Sequence, residues 1–309
     1  MSSGPDDRTT PLRARGDGYP ENLRASVERY LEQLSFAVEP ATAGLGEAMR
    51  YSLLAGGKRI RPVLTLATAR ALGNDPDLVL PTAAAIELVH TYSLIHDDLP
   101  AMDDDDLRRG RPSCHIAFGE KVAILAGDGL FAEAYKLIFE RQSGDPANVL
   151  TAVRELSDAI GVGGMVGGQY IDVSAGEEID SAQLRHMHEL KTGRLIAASV
   201  GVAPLLLGAT EGARRALARF AGELGVLFQI VDDILDVTGS REELGKPRGT
   251  DERLGKRTYV SVFGLGRARE LANESYRNAR RELEQAGPEL GGDTSDLERI
   301  TDFIHTRKE

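Results

Sequence analysis

The chain is 309 residues long and 41% hydrophobic, which is enough to bury a sizeable core. Only 5% of its residues are aromatic and it contains no Trp, which argues against a β-sandwich or an aromatic platform for nucleic-acid bases. Its formal net charge of −11 argues against nucleic-acid binding, which needs a basic surface, but allows a small polyanion to bind at a local basic site.

The termini and the cysteine content predict a compartment. Cys114 is the only cysteine, so no intrachain disulfide can form and a reducing compartment is expected. The N-terminal stretch MSSGPDDRTTPLRARGDG lacks the apolar core of a signal peptide, and we expect no membrane span because no run of about 20 apolar residues stands out. We therefore expect a cytoplasmic protein.

The chain divides into a tail and one domain. Residues 1–18 are rich in Ser, Gly, Pro, Arg and Asp and have no apolar period, which predicts a disordered N-terminal tail. From Tyr19 onward the pattern is helical almost throughout, with no alternating strand pattern of useful length and no composition shift at a domain boundary. These features predict a single large all-α bundle over residues 19–309.

Two apolar stripes with helical spacing predict core helices. The first stripe consists of Ala85, Leu88, Tyr92, Ile95 and Leu99, and the second of Phe220, Leu224, Leu227, Val231 and Leu235. Between them, Asp180 and Ser181 offer an N-cap for a long helix running to about Leu207. The Gly-rich stretch GVGGMVGG (161–168) has no following Lys-Ser/Thr and no preceding strand, which favours close helix packing over a phosphate loop.

Two acidic clusters follow the apolar stripes: HDDLPAMDDDDLRRGRPSCH (96–115) and QIVDDILD (229–236). An Asp run is usually a solvated surface. Here, however, both clusters lie near predicted C-terminal helix ends, since Pro100 should end or kink the first helix and Gly239 should end the second. The helix dipole disfavours carboxylates at that end unless a cation compensates. Apolar sequence precedes each cluster, so we interpret both as walls of a cavity that binds a cation.

The spacing of the polar residues supports a metal site. Asp232 and Asp236 lie four residues apart on one helix face, which Gln229 also joins. His90 lies about two helical turns before Asp97 and shares its face. Oxygen ligands select Mg²⁺ or Ca²⁺, and without an EF-hand pattern we favour Mg²⁺ bridged by substrate phosphates. A calcium-binding or scaffolding protein, without turnover of any diphosphate, is an alternative.

Basic residues accompany both acidic clusters. They are Lys58, Arg59 and Arg61 in GGKRIRP, then Arg108, Arg109 and Arg111, then Lys191, and finally Lys246 and Lys256. Any one of these groups alone is best interpreted as surface. Acid beside base, twice in an acidic protein, predicts a diphosphate held through metal ions and through Arg or Lys. Such a site would stabilise diphosphate as a leaving group.

Several motifs also occur in a particular order: GGKRIRP, LIHDDLPAMDDDDLRRG, GGQYID, KTG, FQIVDDILD and the paired GK motifs. With these motifs the chain, from about residue 20 onward, resembles the trans-isoprenyl diphosphate synthases, most closely the bacterial farnesyl diphosphate synthases. The resemblance implies an all-α isoprenoid-synthase bundle with a central cavity, three Mg²⁺ ions and a homodimer. It also implies isopentenyl diphosphate and an allylic diphosphate as substrates.

The resemblance assigns roles to the matching residues. The Mg²⁺ ligands would be Asp97, Asp103, Asp232 and, through water, Asp236. The allylic diphosphate would be held by Arg108, Lys191, Lys246 and Lys256. Isopentenyl diphosphate would be held by Lys58, Arg61, His90 and Arg109, with Arg307 of the C-terminal tail closing over it. Oxygens of Thr192 and Gln229 would face the allylic cation, and a kink at Lys191–Gly193 would aim backbone carbonyls at it. No role is assigned to Asp98, Asp104 to Asp106, Gln169 and Asp172.

The implied reaction is the condensation of isopentenyl diphosphate with dimethylallyl or geranyl diphosphate. The allylic substrate ionises, the isopentenyl double bond attacks the cation, and the departing diphosphate takes the proton. Lid closure would keep water from quenching the cation.

Product length is expected to depend on Tyr92, which lies about 7.5 Å along the helix before Asp97. Tyr92 is either a core aromatic or the floor of the chain pocket. In the resemblance, a bulky aromatic here stops growth at C15, and the spacing of Asp97 and Asp103 also matches bacterial farnesyl synthases. Ser93 is small and leaves room, so geranylgeranyl diphosphate is the alternative product.

Two related classes remain as alternatives. A terpene cyclase would share the helical fold and one Asp-rich motif, but it would not need GGKRIRP or a second full DDxxD. A non-catalytic partner subunit usually loses an aspartate motif, whereas both are intact in this sequence.

Overall fold

In the computed structural model, the described residues are 18–36, 39–174, 180–239 and 257–307. The predicted N-terminal tail lies outside these ranges except for Gly18. Lys246 and Lys256, assigned to the allylic diphosphate, also lie outside them.

The described chain is almost entirely helical, which confirms the all-α prediction. Its α-helices in chain order are α1 (Glu21–Glu32), α2 (Ala43–Leu53), α3 (Ile60–Ala71), α4 (Leu80–Asp97), α5 (Cys114–Phe118), α6 (Glu120–Arg141), α7 (Pro146–Ile160), α8 (Met165–Ser174), α9 (Ser181–His188), α10 (Arg194–Leu206), α11 (Glu211–Thr238), α12 (Tyr259–Leu290) and α13 (Ser295–Thr306). Short 3₁₀-helices, Pro40–Thr42 and Pro76–Val79, precede α2 and α4. A π-helical turn, Glu189–Gly193, joins α9 to α10, and α12 is kinked at Gly264.

Helices α4 and α11 carry the two predicted stripes and end where the sequence predicts. All the stripe residues are buried except Leu99, which lies beyond the end of α4 and is half-buried. Helix α4 ends at Asp97, shortly before Pro100, and α11 ends at Thr238, before Gly239. Both acidic clusters therefore sit at the C-terminal ends of core helices.

The predicted N-cap at Asp180 is confirmed. Its carboxylate accepts the N–H groups of Ala182 and Gln183 at 2.8 Å each, and the Gln183 amide oxygen accepts the N–H of Asp180 at 2.9 Å. This reciprocal arrangement is a capping box. The helix that it starts is interrupted after His188 by the π-helical turn, so the long helix expected to about Leu207 consists of α9, the turn and α10.

A short hairpin escaped the sequence analysis. Strands β1 (Leu107–Arg108) and β2 (Arg111–Pro112) pair antiparallel, and two residues connect them. Those residues, Arg109 and Gly110, have φ values of 53° and 73°, and two positive φ values are typical of a type I′ turn. Strands this short carry no visible alternation. The hairpin places the adjacent Arg108 and Arg109 beside the end of α4.

The Gly-rich segment packs helices together, as predicted. A Cβ atom on Gly168 of α8 would lie 2.2 Å from the backbone nitrogen of Lys191, far closer than atoms can approach. From α11, a Cβ on Gly225 would lie 3.2 Å from the Cα of Gly193. Glycine therefore lets α8 and α11 approach the backbone of the π-helical turn closely.

One helical stretch in the described part of the chain is long and apolar enough to cross a membrane. It is Pro76–Asp97, with a mean hydropathy of 1.5 over its best 18-residue window, and the sequence analysis did not single it out. Of that window, 67% is buried inside the protein, as expected for a core helix of the bundle. Length and composition alone are weak evidence for a membrane span. That the protein has no membrane span stays a prediction.

Candidate active site

A cavity of about 880 Å³ lies at the C-terminal ends of α4 and α11, a size typical of small-molecule sites. It brings together most of the residues that the sequence analysis selected. Those that line it are Arg61, His90, Tyr92, Ser93, Asp97, Asp103, Arg108, Arg109, Lys191, Thr192, Gln229, Asp232, Asp236 and Arg307.

The carboxylates of the two aspartate motifs line this cavity from two helices. Asp97 ends α4, and the loop after it folds back so that the N–H of Asp103 donates to the carbonyl of Asp97 at 2.9 Å. Asp232 and Asp236 come from α11. Within residues 18–36, 39–174, 180–239 and 257–307, no three His, Cys, Asp or Glu side chains lie close enough to hold a metal ion by themselves. Since Mg²⁺ is commonly held by one or two carboxylates plus substrate phosphates, this donor set fits Mg²⁺ shared with a diphosphate.

Arg307, just after α13, reaches into the cavity and contacts the second aspartate motif. Its Nη2 donates to Asp232 Oδ1 at 3.0 Å and to the carbonyl of Phe228 at 3.4 Å. Its guanidinium lies 4.3 Å from the centre of the Phe228 ring, a cation–π contact. Burial lowers the pKa of Arg307, against the opposing effect of Asp232. The C-terminus thus supplies a buried cation at a carboxylate predicted to bind metal.

Arg61 and His90, both half-buried, lie near Arg307 on the cavity wall. Arg61 Nη1 lies 3.3 Å from His90 Nε2, and its guanidinium lies 5.4 Å from the Phe228 ring centre. Burial lowers the pKa of Arg61 to about 10, so the side chain stays charged at neutral pH. Burial and then the neighbouring arginines hold the pKa of His90 well below 6.5, so its imidazole is neutral. This concentration of positive charge suits an anionic ligand.

The glycine pair in GGKRIRP makes room for Arg109. Gly57 has a φ of 116°, and a Cβ on it would lie 2.7 Å from Arg109 Cζ. Arg109 donates to the carbonyl of Gly56, and burial lowers its pKa. Lys58 is exposed, with its Nζ 5.3 Å from the ring centre of Phe303, and it does not line the cavity. Its assignment to isopentenyl diphosphate stays a prediction.

The first aspartate run is divided between the cavity and the interior. Asp98 and Asp105 are 2% and 3% exposed. Arg108 Nε donates to Asp98 Oδ1 at 3.0 Å, and its Nη2 reaches Asp105 Oδ2 at 3.4 Å. These two carboxylates, unassigned from the sequence, therefore hold Arg108 at the edge of the cavity.

Lys191 lies among carboxylates on the π-helical turn. Its Nζ donates to Asp172 Oδ2 at 2.6 Å. Burial acts to lower the pKa of Lys191, but Asp97 and Asp172 outweigh it and raise the pKa. The kink predicted at Lys191–Gly193 falls within a π-helical turn, a feature frequent at functional sites. It places Lys191 and Thr192 together on the cavity wall.

Two cavity residues, His188 and Asp233, were missed by the sequence analysis. Burial lowers the pKa of His188 to about 4, so this imidazole is neutral, and its Nδ1 lies 4.0 Å from Asp233 Oδ2. Asp233 accepts from Gln229 Nε2 at 2.7 Å and from the N–H of Tyr259 at 2.6 Å. The four-residue spacing of Gln229 and Asp233 was a readable signal for this contact. The contact to Tyr259, from a distant helix, was not.

The predicted chain-length residue Tyr92 is both a core aromatic and part of the cavity wall. It is 8% exposed, and its ring packs edge-to-face against Phe131 of α6 at 5.2 Å and His96 at 5.8 Å. Phe131 in turn packs against Tyr135 at 5.4 Å. Ser93, beside Tyr92, lines the cavity too. The aromatic side chains thus form two layers between α4 and α6.

Comparison with known proteins agrees with this site. The model of the polyprenyl synthetase family matches residues 42–288. The chain is 46% identical over 274 residues to a farnesyl diphosphate synthase from Geobacillus stearothermophilus, covering 84% of this chain and 92% of the relative. It is also 46% identical over 264 residues to a chloroplastic geranylgeranyl pyrophosphate synthase from Capsicum annuum, covering 84% and 70%.

A solved structure with a similar fold is a geranyltransferase from Helicobacter pylori, complexed with magnesium and isoprenyl diphosphate. It matches with a TM-score of 0.85 at 31% identity, covering 93% of this chain and 96% of the other. The chain belongs to the polyprenyl synthetase family, which confirms the family predicted from its motifs.

Proposed function

We propose that this chain is a prenyltransferase that joins isopentenyl diphosphate head-to-tail (1'-4) to dimethylallyl or geranyl diphosphate and releases (E,E)-farnesyl diphosphate. The observation that carries the proposal is a single cavity containing both aspartate motifs and the half-buried cations Arg61, Arg109 and Arg307. The Geobacillus farnesyl diphosphate synthase, at 46% identity, supports the reaction.

Magnesium fits the donors that the cavity offers. Asp97 and Asp103 on one wall, and Asp232 and Asp236 on the other, present oxygen ligands at helix ends whose dipoles favour cations. The Helicobacter structure with magnesium and isoprenyl diphosphate supports this cofactor. We take the number of ions to be three. When bound, magnesium neutralises the diphosphate and makes it a better leaving group.

The chain's own residues carry out the remaining steps. Arg61 and Arg109, with the neutral His90 of α4, hold the diphosphate of isopentenyl diphosphate. Lys191 and Arg108 hold the allylic diphosphate. Thr192 and Gln229 turn oxygens toward the allylic carbon, where positive charge develops. The diphosphate itself takes the proton, so no side chain is required as general base.

We also propose a homodimer in the cytoplasm. Leu125, Phe131 and Phe139 on α6 are 54%, 38% and 62% exposed and offer apolar surface to a second copy. Light scattering on the purified protein should give twice the 33.3 kDa mass of one chain. A mass of one chain at assay concentrations would exclude the dimer. Fractionation of the source cells, with the protein in the membrane pellet, would exclude the cytoplasmic assignment.

The activity is tested by incubating the purified protein with isopentenyl diphosphate and, separately, dimethylallyl, geranyl or farnesyl diphosphate. Each reaction is run with Mg²⁺ and with EDTA, and dephosphorylated products are identified by mass spectrometry. We expect a Mg²⁺-dependent C15 product and no extension of farnesyl diphosphate.

The second candidate is geranylgeranyl diphosphate synthesis, which the Capsicum relative at equal identity favours. A C20 product would establish it and leave the mechanism intact. No condensation with any primer would refute prenyl transfer and leave a cyclase or a non-catalytic subunit.

A further inference from the structure

Gln229 and Asp233 form a buried pair on α11, one turn apart. The Gln229 side chain lines the cavity, and its Nε2 donates to Asp233 Oδ1 at 2.7 Å. Asp233 is only 2% exposed, and its other oxygen accepts the N–H of Tyr259, the first residue of α12, at 2.6 Å. The carboxylate, at the cavity wall, is thus held between α11 and α12 by hydrogen bonds to both of its oxygens.

The chemistry of this pair fixes the sense of the Gln229 amide. A glutamine amide has a donor end, NH₂, and an acceptor end, the carbonyl oxygen, which differ little in shape. Both oxygens of Asp233 accept hydrogen bonds, one from Gln229 Nε2 and the other from the N–H of Tyr259, so the NH₂ end of the amide faces Asp233. The carbonyl oxygen is then the end turned toward the cavity that Gln229 lines.

The sense of the amide matters for a reaction that passes through an allylic cation. A carbonyl oxygen stabilises positive charge that develops in front of it, whereas an NH₂ group in the same place repels it. Without an obligate acceptor behind it, the amide could present either end to the substrate.

We infer that Asp233 is a positioning residue that orients the Gln229 amide so that its oxygen, and not its NH₂ group, faces the allylic cation. This inference rests on the proposed prenyl transfer, because only that reaction supplies the cation. The neighbouring Asp232 has a different role, because its side chain is 59% exposed and pairs with Arg307. The two adjacent aspartates of the second motif therefore have separate roles: Asp232 interacts with cations in the cavity, and Asp233 orients the side chain of Gln229.

The substitution Asp233→Asn reverses the amide while keeping the shape of the site. The N–H of Tyr259 requires an acceptor, so it takes the new asparagine's oxygen and leaves the asparagine NH₂ facing Gln229. Gln229 must then turn its oxygen inward and its NH₂ toward the cavity. We expect kcat to fall on the order of 100-fold, with the KM of both substrates and the product length unchanged.

A double-mutant cycle with Gln229→Met separates orientation from general disruption. Methionine has a similar length but no amide to orient. If Asp233 acts through Gln229, Asp233→Asn costs activity in the wild-type background and nothing further in the Gln229→Met background. Equal losses in both backgrounds, or a rise in KM with kcat intact, would overturn the inference.

The cycle remains decisive if Asp233→Asn does not fold. Asp233→Glu, which keeps the carboxylate but moves it, then takes its place, and the same coupling to Gln229 is required. The wild-type protein is assayed alongside. Wild-type protein that makes no condensation product rejects the proposed function, whereas active wild type with additive losses rejects only the role of Asp233.

Discussion

Replacing Tyr92 with alanine should lengthen the product, because its ring stands between the cavity and the second aromatic layer. Tyr92 is 8% exposed and lines the cavity, while Phe131 packs behind it with ring centres 5.2 Å apart. Removing the phenol ring opens the space up to Phe131. The variant therefore probes the depth of the pocket without touching the residues that bind diphosphate.

The size of the change follows from the chain dimensions. A backbone residue spans about 3.6 Å over three bonds, so a four-bond isoprene unit spans about 5 Å. Geranyl diphosphate then reaches about 10 Å from its diphosphate, and farnesyl about 15 Å. Tyr92 lies about 7.5 Å along α4 from Asp97. Two Mg²⁺–oxygen bonds of about 2.1 Å each would separate the Asp97 carboxylate from the diphosphate and add about 4 Å. The ring then lies about 12 Å from the diphosphate, beyond the reach of geranyl and within that of farnesyl, so it blocks the third unit of a farnesyl primer. Its removal should admit that one unit and move the main product from C15 to C20.

The assay uses isopentenyl diphosphate with geranyl and with farnesyl diphosphate, and product lengths are read by mass spectrometry. Tyr92→Phe is the matched control and should keep C15, since the ring remains. Loss of a buried aromatic costs at most about 3–5 kcal/mol, so thermal denaturation must first show that the variant is folded. If folded Tyr92→Ala still makes only the C15 product, Tyr92 is not the floor of the chain pocket. Products well beyond C20 would show that Phe131 is not the next barrier.

Three further substitutions test the buried charges. Arg59 Nη1 donates to Glu87 at 2.6 Å with both side chains buried, so Arg59→Met should lower the free energy of unfolding by about 3–5 kcal/mol. Arg24→Met, at a more exposed ion pair, is the control and should cost less than about 1 kcal/mol. Equal losses of the two variants in denaturant titrations would contradict this prediction. Burial lowers the pKa of His188 from 6.5 to about 4 in the folded protein. As the pH falls, the unfolded chain therefore binds a proton at His188 before the folded protein does, and the free energy of unfolding decreases between pH 6.5 and pH 4. His188→Gln should flatten that decline in urea titrations of metal-free protein, and an unaltered slope would rule out a buried neutral His188. Arg307→Gln should raise the KM for isopentenyl diphosphate on the order of tenfold while the product stays C15, and an unchanged KM would remove Arg307 from the site.

The parts of the fold that were predicted from sequence depend on local signals. The stripes that end before Pro100 and Gly239 gave α4 and α11 with correct ends, because periodicity and helix-stopping residues act within one turn. The cap at Asp180 was predicted for the same reason. The meeting of both aspartate motifs in one cavity followed from the motifs and the family resemblance, since no local rule brings α4 to α11.

The parts that were not predicted depend on tertiary contacts. A run of aspartates does not show which members turn inward, and Asp98 and Asp105 are buried only because the loop after α4 folds back onto Arg108. Asp233 is fixed by the N–H of a residue 26 positions later in the chain. Lys58 matched a motif, yet its side chain lies outside the cavity. The next residue, Arg59, has a left-handed backbone conformation and caps the start of α3.

The electrostatics of the cavity explain how a chain of net charge −11 can bind two diphosphates. Burial lowers the pKa values of Arg61, Arg109 and Arg307, and Asp232 at Arg307 and Glu87 at the other two act in the opposite direction without outweighing it. A diphosphate placed among them relieves that cost, so isopentenyl diphosphate should bind there without metal. The opposite wall carries the carboxylates of Asp97 and Asp103, which repel an allylic diphosphate until a divalent cation neutralises them. Calorimetry in EDTA should therefore detect binding of isopentenyl diphosphate but no binding of a non-hydrolysable allylic analogue. Added Mg²⁺ should restore binding of the allylic analogue. If both ligands depended equally on Mg²⁺, the cavity would not have one metal-independent and one metal-dependent diphosphate site.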